Sequence, residues 1–263
     1  MLRFSIVTIN YNDEIGLKNS IISLANQGYK NFEFIVIDGG SKDGSIGVIK
    51  DNNDLIDYWV SEPDKGVYDA MNKGLQKCKG EFIYFLNSGD TFYSDNVLQD
   101  INEEIIKNEP KIIFGNINDI SEETGISKIR LKQKLNKINL FDKMVCHQAL
   151  FCKRTLFENN AFNLDYKIKA DYDWLLRTMF TNPKIVNTNI VVANYMLGGL
   201  SATQYNTYSK KEIPKIRDTY FSKKEQKALR KYVFNPKVIK LPFGNFIKRN
   251  LIQYVEYKYP NLR

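Results

Sequence analysis

Phe82-Ile83-Tyr84-Phe85-Leu86-Asn87-Ser88-Gly89-Asp90 passes abruptly from five large apolar residues to four turn-forming polar ones. An unbroken apolar run of that length is what a strand buried in a sheet requires, and Asn-Ser-Gly-Asp is turn chemistry. The same change recurs upstream. Phe4 to Ile9 runs into Asn10-Tyr11-Asn12, Phe32 to Ile37 into Asp38-Gly39-Gly40-Ser41, and Ile56 to Val60 into Ser61-Glu62-Pro63-Asp64. Downstream, Ile112 to Phe114 reads as a fifth strand. Between the strands the apolar spacing is helical: Leu17, Ile21, Leu24 and Ala25; Val67, Ala70, Met71, Leu75 and Cys78; Val97, Ile101, Ile105 and Ile106. Strand and helix in alternation predict an α/β fold with a single Rossmann-like, mainly parallel sheet flanked by helices. Ligands of such sheets sit at the carboxyl ends of the strands, so the polar tails are where chemistry is expected.

After Asn116 the alternation fades. Residues 117–140 read as polar, turn-rich and hairpin-like, and Asp171 to Phe180 as a helix. The spacing predicts a domain over residues 1–204 and a basic, amphipathic, helical C-terminal extension over 205–263. The extension carries 15 Lys and Arg against 4 Asp and Glu, more than the whole net charge of +8. Its cations interleave with Phe243, Phe246, Ile247, Leu251, Ile252 and Tyr254. That pattern fits either a segment lying on an anionic membrane surface or a solvated helix face, with nucleic acid a third partner class.

The remaining composition excludes several classes. With 263 residues, 43% apolar side chains and 15 Gly against 7 Pro, the chain is globular rather than disordered or collagen-like. No apolar run approaches the ~18–20 residues that cross a bilayer. Met1 to Val7 lead directly into a strand without a secretory pattern, so a cytoplasmic location is expected. Cys78, Cys146 and Cys152 lack paired metal spacing, and His147 is the one histidine, which argues against disulfides and structural zinc.

Tyr11 and Asp38 end neighbouring strands and suit a nucleobase, by stacking and by accepting a ring N–H; separately they read as a surface tyrosine and a turn aspartate. The loop Gly39 to Ser45 has neither dinucleotide nor P-loop spacing, which moves NAD and ATP hydrolysis down the order. Asp69 and Asn72 share a helix face, either lining a crevice or complementing the helix dipole. Asp90, after a buried strand, suits a hard divalent cation or a simple turn. Asp171, at a helix start, is a general base or a cap. Asp173 stands four residues before Arg177, the spacing of a surface ion pair. His147-Gln148 precedes a short apolar run and reads more readily as structural than catalytic.

Taken together, Phe4 to about Ser201 resembles glycosyltransferase family 2, the GT-A nucleotide-sugar transferases. The strongest stretch is Ser61-Glu62-Pro63-Asp64-Lys65-Gly66-Val67-Tyr68-Asp69-Ala70-Met71-Asn72-Lys73-Gly74 with Leu86-Asn87-Ser88-Gly89-Asp90. It is similar to the branch of the colanic-acid transferases WcaA and WcaE, which build bacterial exopolysaccharide. The resemblance implies nucleotide-sugar contacts from Thr8, Tyr11, Asp38, Asp69, Asn72 and Ser88. Gly39 replaces the second aspartate of the family's Asp-Asp-Gly-Ser. Asp90 is left to hold Mn²⁺ or Mg²⁺, because Asn87 and Gly89 stand where aspartates often do. Asp171 falls on the family's catalytic base, with Ala170 at the preceding glutamate position. His147, Gln148, Gly199 and Ser201 are implied acceptor or lid residues.

The implied activity is inverting transfer of a sugar from a nucleotide-sugar, by analogy a UDP-sugar, to a hydroxyl of a saccharide acceptor. An acceptor linked to undecaprenyl diphosphate would place the enzyme peripherally on the inner face of the cell membrane, held by the C-terminal extension, and leaves no role for nucleic acid. The alternative is a non-catalytic GT-A-like nucleotide-sugar-binding or scaffold protein. A nucleotidyltransferase is disfavoured by the missing glycine-rich, arginine-containing signature after the first strand.

Overall fold

A computed structural model describes residues 2–121, 123–131, 134–198, 205–235 and 244–262, with the backbone alone for 205 and 244–247. Its first half follows the alternation in the sequence. β1 (Phe4–Asn10), β2 (Phe32–Asp38), β3 (Tyr58–Ser61) and β4 (Phe82–Phe85) lie parallel, in the spatial order β3-β2-β1-β4. They are connected through α1 (Glu14–Ala25), α2 (Ser45–Asp51) and α3 (Val67–Leu75). Every residue of β1 is buried, so its polar side chains need internal partners. Ser5 donates to Glu33 Oε1 at 2.5 Å, and Thr8 donates to the Leu86 carbonyl at 2.7 Å.

The second half departs from a simple parallel sheet. After β5 (Thr91–Phe92) and α4 (Val97–Asn108), β6 (Ile112–Ile120) forms a hairpin with β7 (Ser127–Arg130), as the turn-rich sequence suggested. α5 (Lys137–Asp142), β8 (Leu150–Lys153), α6 (Ala170–Met179) and β9 (Ile185–Met196) follow. β8 inserts antiparallel between β4 and β6, β9 lies parallel to β6, and β5 closes the edge antiparallel to β9. The sheet is therefore parallel on one side and mixed on the other. β9 was not anticipated, because Asn187, Thr188, Asn189 and Asn194 interrupt its apolar pattern. Its register against β6 slips between Phe114 and Ile117. A Cβ on Gly115 would meet Val192 Cγ2 at 2.6 Å, so a glycine is what this close approach admits.

The segment after residue 204 packs into the same core as the sheet. It contains α7 (Lys210–Tyr220), α8 (Lys223–Ala228) and α9 (Gly244–Lys258). Ile216, Phe221, Leu229, Val233, Val255 and Leu262 are buried in that common core, while Leu251 and Ile252 are half-buried. Tyr254 is exposed; Phe243 and the side chains of Phe246 and Ile247 lie outside the described residues. The extension thus contributes apolar side chains to the core, while of the residues that read as lipid-facing in sequence only Leu251 and Ile252 are partly covered among those described.

Glu212 of α7 reaches furthest into the fold. Its carboxylate, in a residue only 8% exposed, accepts the backbone N–H groups of Lys167, Ile168 and Lys169 at 2.7, 3.1 and 2.9 Å. The extension thereby secures the turn that delivers Asp171.

α3 lies against β1 through Gly74, where an added Cβ would stand 2.5 Å from Val7 Cγ1. Overpacking of that kind costs about 1–3 kcal/mol, against a gain of up to ~1 kcal/mol for replacing a helical glycine. Gly74→Ala is therefore expected to destabilise the fold by a net of about 1–2 kcal/mol, read as a lower urea midpoint. An unchanged or raised midpoint would show that the helix can retreat at no cost.

Candidate active site

A cleft of about 1670 Å³ opens at the carboxyl ends of β1, β2 and β4 and runs beneath the ends of α6 and β9. On one side Tyr11 presents a ring that is 66% exposed. Its loop is tied down by Asn12, in left-handed backbone conformation at φ 49°, whose N–H donates to Ser41 Oγ and whose Oδ1 accepts from Lys42 N. Gly39 lies beneath: a Cβ there would meet Asp64 Oδ2 at 2.6 Å and Tyr11 Cδ2 at 3.1 Å. The absent side chain at residue 39 leaves space that the Asp64 carboxylate takes up. An acidic group therefore remains beside Tyr11, supplied from the loop after β3.

Asp38 is not the open base-edge contact that the sequence suggested. It is fully buried and absent from the cleft wall. Its Oδ1 accepts from Asn10 Nδ2 and Ser41 Oγ, and its Oδ2 from Gly40 N, Ser41 N and Ser61 Oγ. Burial alone would raise its pKa, but donation from Ser41, Ser61 and Asn10 outweighs it, and the carboxyl is held below its ordinary range. With five donors satisfied, Asp38 has no acceptor capacity left for a ligand. The free acceptor is next door. Asn10 lines the cleft, its amide nitrogen is committed to Asp38, and its buried Oδ1 has no partner among the described residues.

Asp90 forms the floor. It is 4% exposed, its Oδ2 accepts from Gln148 Nε2 at 2.8 Å, and its Oδ1 accepts from Met196 N at 3.1 Å. Burial dominates these two donors and pushes its pKa up to about 6. Ser88 lines the same wall and donates to Asp13 Oδ2 at 3.0 Å. Deeper in, Arg130 forms an ion pair with Asp119 and lies 5.7 Å from the Tyr195 ring centroid.

Asp171 occupies the opposite wall, in the first turn of α6. Its Oδ1 accepts from its neighbour Tyr172 N at 2.8 Å and lies 2.9 Å from the Tyr68 hydroxyl; its Oδ2 lies 3.4 Å from His147 Nδ1. Tyr68 is also 2.8 Å from the Ile168 carbonyl, so its one proton serves two acceptors. Burial raises the Asp171 pKa, but hydrogen bonding from His147 and Tyr68 and the positive charge of Lys169 outweigh it, and the group stays below the ordinary carboxylate range. The other ring nitrogen of His147 stands 3.1 Å from Asn87 Nδ2.

The structure thus gathers Tyr11, Ser88, Asp90, His147, Gln148 and Asp171 around one cleft. Three other expected residues do not line it. Thr8 is internal, and Asp69 accepts from Lys65 N and pairs with Lys73 at 3.8 Å. Asn72 exchanges two hydrogen bonds with the Phe162 backbone, both at 2.9 Å. Helix spacing set Asp69 and Asn72 on a common face; which face met the cleft depended on packing. Asp173 pairs with Arg177 at 3.3 Å, as its spacing suggested, but not at the surface: it is buried and also accepts from the Tyr220 hydroxyl at 2.9 Å. Gly199 and Ser201 lie outside the described residues. Sequence reasoning missed separate roles for Asn10, Asp13, Asp64, Tyr68, Arg130 and Tyr195, none of which carries a spacing signal.

Residues 5–158 match the profile of glycosyl transferase family 2. A PGL/p-HBAD biosynthesis glycosyltransferase of Mycobacterium bovis is 32% identical over 221 residues, covering 80% of this chain and 84% of that protein. The Escherichia coli enzyme WfgD, a UDP-Glc:alpha-D-GlcNAc-diphosphoundecaprenol beta-1,3-glucosyltransferase, is 27% identical over 198 residues, covering 73% and 76%. In fold, the chain is similar to Staphylococcus aureus TarS in complex with UDP-GlcNAc, with a TM-score of 0.70, 14% identity, and coverage of 99% and 82%. It is also similar to a Pyrobaculum calidifontis mannosyltransferase in complex with GDP-Man and Mn²⁺, with a TM-score of 0.60, 15% identity, and coverage of 99% and 72%. A GT-A sheet, a cleft at its strand ends and a family match across more than half the chain lead to one conclusion: this protein is a glycosyltransferase of family 2.

Proposed function

We propose that this glycosyltransferase moves a sugar, with inversion, from a UDP-sugar to a hydroxyl of a saccharide carried on undecaprenyl diphosphate, in bacterial surface-polysaccharide assembly of the colanic-acid kind. The observation that carries the reading is Asp171: a desolvated but ionised carboxylate facing the cleft that presents Tyr11. Asp171 takes the proton of the acceptor hydroxyl, whose oxygen attacks the anomeric carbon. The bond from that carbon to the diphosphate oxygen breaks, and its electron pair leaves with the diphosphate. Tyr11 stacks on the base, Asn10 Oδ1 accepts the ring N–H, and Asp64 and Ser88 take ribose or phosphate groups. The diphosphoundecaprenol-linked acceptor of WfgD and the UDP-GlcNAc complex of TarS favour this donor and carrier. Contact with the lipid carrier is assigned to α9, where Tyr254 and Tyr257 are exposed beside Arg249 and Lys258.

The residues fit a divalent cation held jointly with the donor, rather than one held by protein alone. Among the described residues, no three His, Cys, Asp or Glu side chains could hold a metal ion. Asp90 is nevertheless a buried carboxylate facing the cleft that forms no ion pair with Lys or Arg among the described residues, so it would hold Mn²⁺ or Mg²⁺ together with diphosphate oxygens. The cation would supply charge neutralisation for the departing diphosphate.

Calorimetric titration tests the donor site. UDP is expected to bind more tightly with Mn²⁺ than with chelator and in preference to GDP, while Mn²⁺ alone gives no saturable heat. Preference for GDP, or no UDP binding with or without Mn²⁺, would overturn the donor assignment. Tight binding of Mn²⁺ alone would overturn the shared-ligand account.

A further inference from the structure

We infer that Asn87 locks His147 in the tautomer that carries its proton on Nδ1, and that His147 so locked is the positioning residue for Asp171. The inference rests on Asp171 being the base of the proposed reaction. It starts from three groups in series: Asn87 Nδ2 at 3.1 Å from His147 Nε2, and His147 Nδ1 at 3.4 Å from Asp171 Oδ2. A neutral imidazole has one donor and one acceptor nitrogen, and the partner of one decides the state of the other. With the proton on Nδ1, the ring donates to Asp171 and Nε2 accepts from the Asn87 amide. With the proton on Nε2, the Nδ1 lone pair would face an ionised carboxylate. The first arrangement leaves only Asn87 Oδ1 unpaired, and among the described residues that buried atom has no partner. A hydroxyl of the bound sugar can supply the missing donor.

This account gives a reason for Asn87 in place of an acidic residue. A carboxylate cannot donate to Nε2. An aspartate at 87 would require a proton on that nitrogen, which either strips Nδ1 of its proton or makes the ring an imidazolium. An asparagine keeps Nε2 an acceptor and the Nδ1 donor directed at Asp171. Tyr68 and Tyr172 N occupy Oδ1, and His147 takes one lone pair of Oδ2, so the remaining acceptor position on Asp171 is on Oδ2. That position is the one left for an acceptor hydroxyl.

His147 is the single histidine of the chain, so its ring nitrogens can be read directly by ¹⁵N NMR on histidine-labelled protein without any ligand. The wild type is expected to show a protonated Nδ1 and a pyridine-like Nε2 near neutral pH. Asn87→Asp should abolish the pyridine-like signal, and Asn87→Leu should let the two tautomers average. In hydrolysis of UDP-GlcNAc, Asn87→Leu and His147→Gln should lower kcat by about tenfold or more, the usual range for losing a group that orients a catalytic side chain, with KM within about twofold. A wild-type spectrum with the proton on Nε2, or averaged as in free imidazole, would overturn the lock. Asn87→Leu that averages the tautomers while kcat stays unchanged would overturn the positioning role. The spectrum requires neither donor nor activity, so failure of the proposed reaction would appear separately.

Discussion

Asp171→Asn is expected to cut turnover of a UDP-sugar by about a hundredfold or more while leaving UDP affinity within about twofold, the scale of losing a general base. The amide can accept from Tyr68 and Tyr172 N through its oxygen, so the local structure has what it needs to persist. It cannot take a proton from an incoming hydroxyl. Because the Asp171 pKa is lowered in the folded state, its ionised form contributes stability that is present above the unfolded pKa and lost as pH falls through the folded one. The variant should therefore be modestly less stable than wild type near neutrality, with the difference closing in acid. Steady-state kinetics with calorimetry of UDP binding decide the matter. Turnover within about threefold of wild type would remove Asp171 from the mechanism.

Asp90→Asn is expected to do the reverse to stability while removing the cation. The Asp90 pKa is raised to about 6, so its contribution to stability is full below the unfolded value of 3.8 and is lost as pH rises through about 6. Two units of displacement correspond to about 3 kcal/mol of unfavourable ionisation at pH 8. Asparagine avoids that cost, but its Nδ2 cannot accept, so one of the two donors loses its acceptor and a net gain of about 1–2 kcal/mol is expected. For a chain of this size that is a rise in Tm of several degrees at pH 8, on the order of 2–4 °C per kcal/mol, vanishing at pH 4. Wild type should regain the difference when Mn²⁺ and UDP are added together, and the variant should not. A variant less stable than wild type at pH 8 would mean that the carboxylate is needed for its hydrogen bonds. Equal stabilisation of both proteins by Mn²⁺ and UDP would take the cation away from Asp90.

These two results would measure one feature from opposite sides. Asp90 and Asp171 line the same cleft, both largely buried, yet their pKa values are displaced in opposite directions. The difference lies in the donors. Asp90 has two, both neutral, whereas Asp171 has Tyr172 N, the shared Tyr68 hydroxyl and His147, with Lys169 nearby. Burial raises both, and only at Asp171 do the donors prevail.

The parallel half of the fold was legible because its cause is local. Phe4 to Ile9, Phe32 to Ile37 and Phe82 to Leu86 are apolar throughout, as strands covered on both faces must be, and each ends in residues that form turns. That sufficed to place Tyr11, Asp90 and, through the family's spacing, Asp171. β9 was not legible: its apolar pattern is broken by asparagines that bond across to other strands, as Asn194 does to Asn118 and Thr91. Nor was the packing of the basic extension, whose interleaved charges and aromatics read equally as a membrane surface. Lys215 lies 5.3 Å from the Tyr166 ring centroid and Arg217 lies 5.0 Å from that of Phe141, so the pattern is used within the protein.

What sequence alone determined is the set of chemical groups delivered to the strand ends, since strand and turn propensity act over a few residues. Tertiary structure decided which of those groups remain available. Asp38 is exhausted by five donors drawn from three segments, Asn10 keeps a bare acceptor, and Asp64 fills the space above Gly39. Glu212, from the far end of the chain, steadies the turn before Asp171. Hydrogen-bond capacity and burial are sums over neighbours distant in sequence, so neither can be read from any one stretch of it.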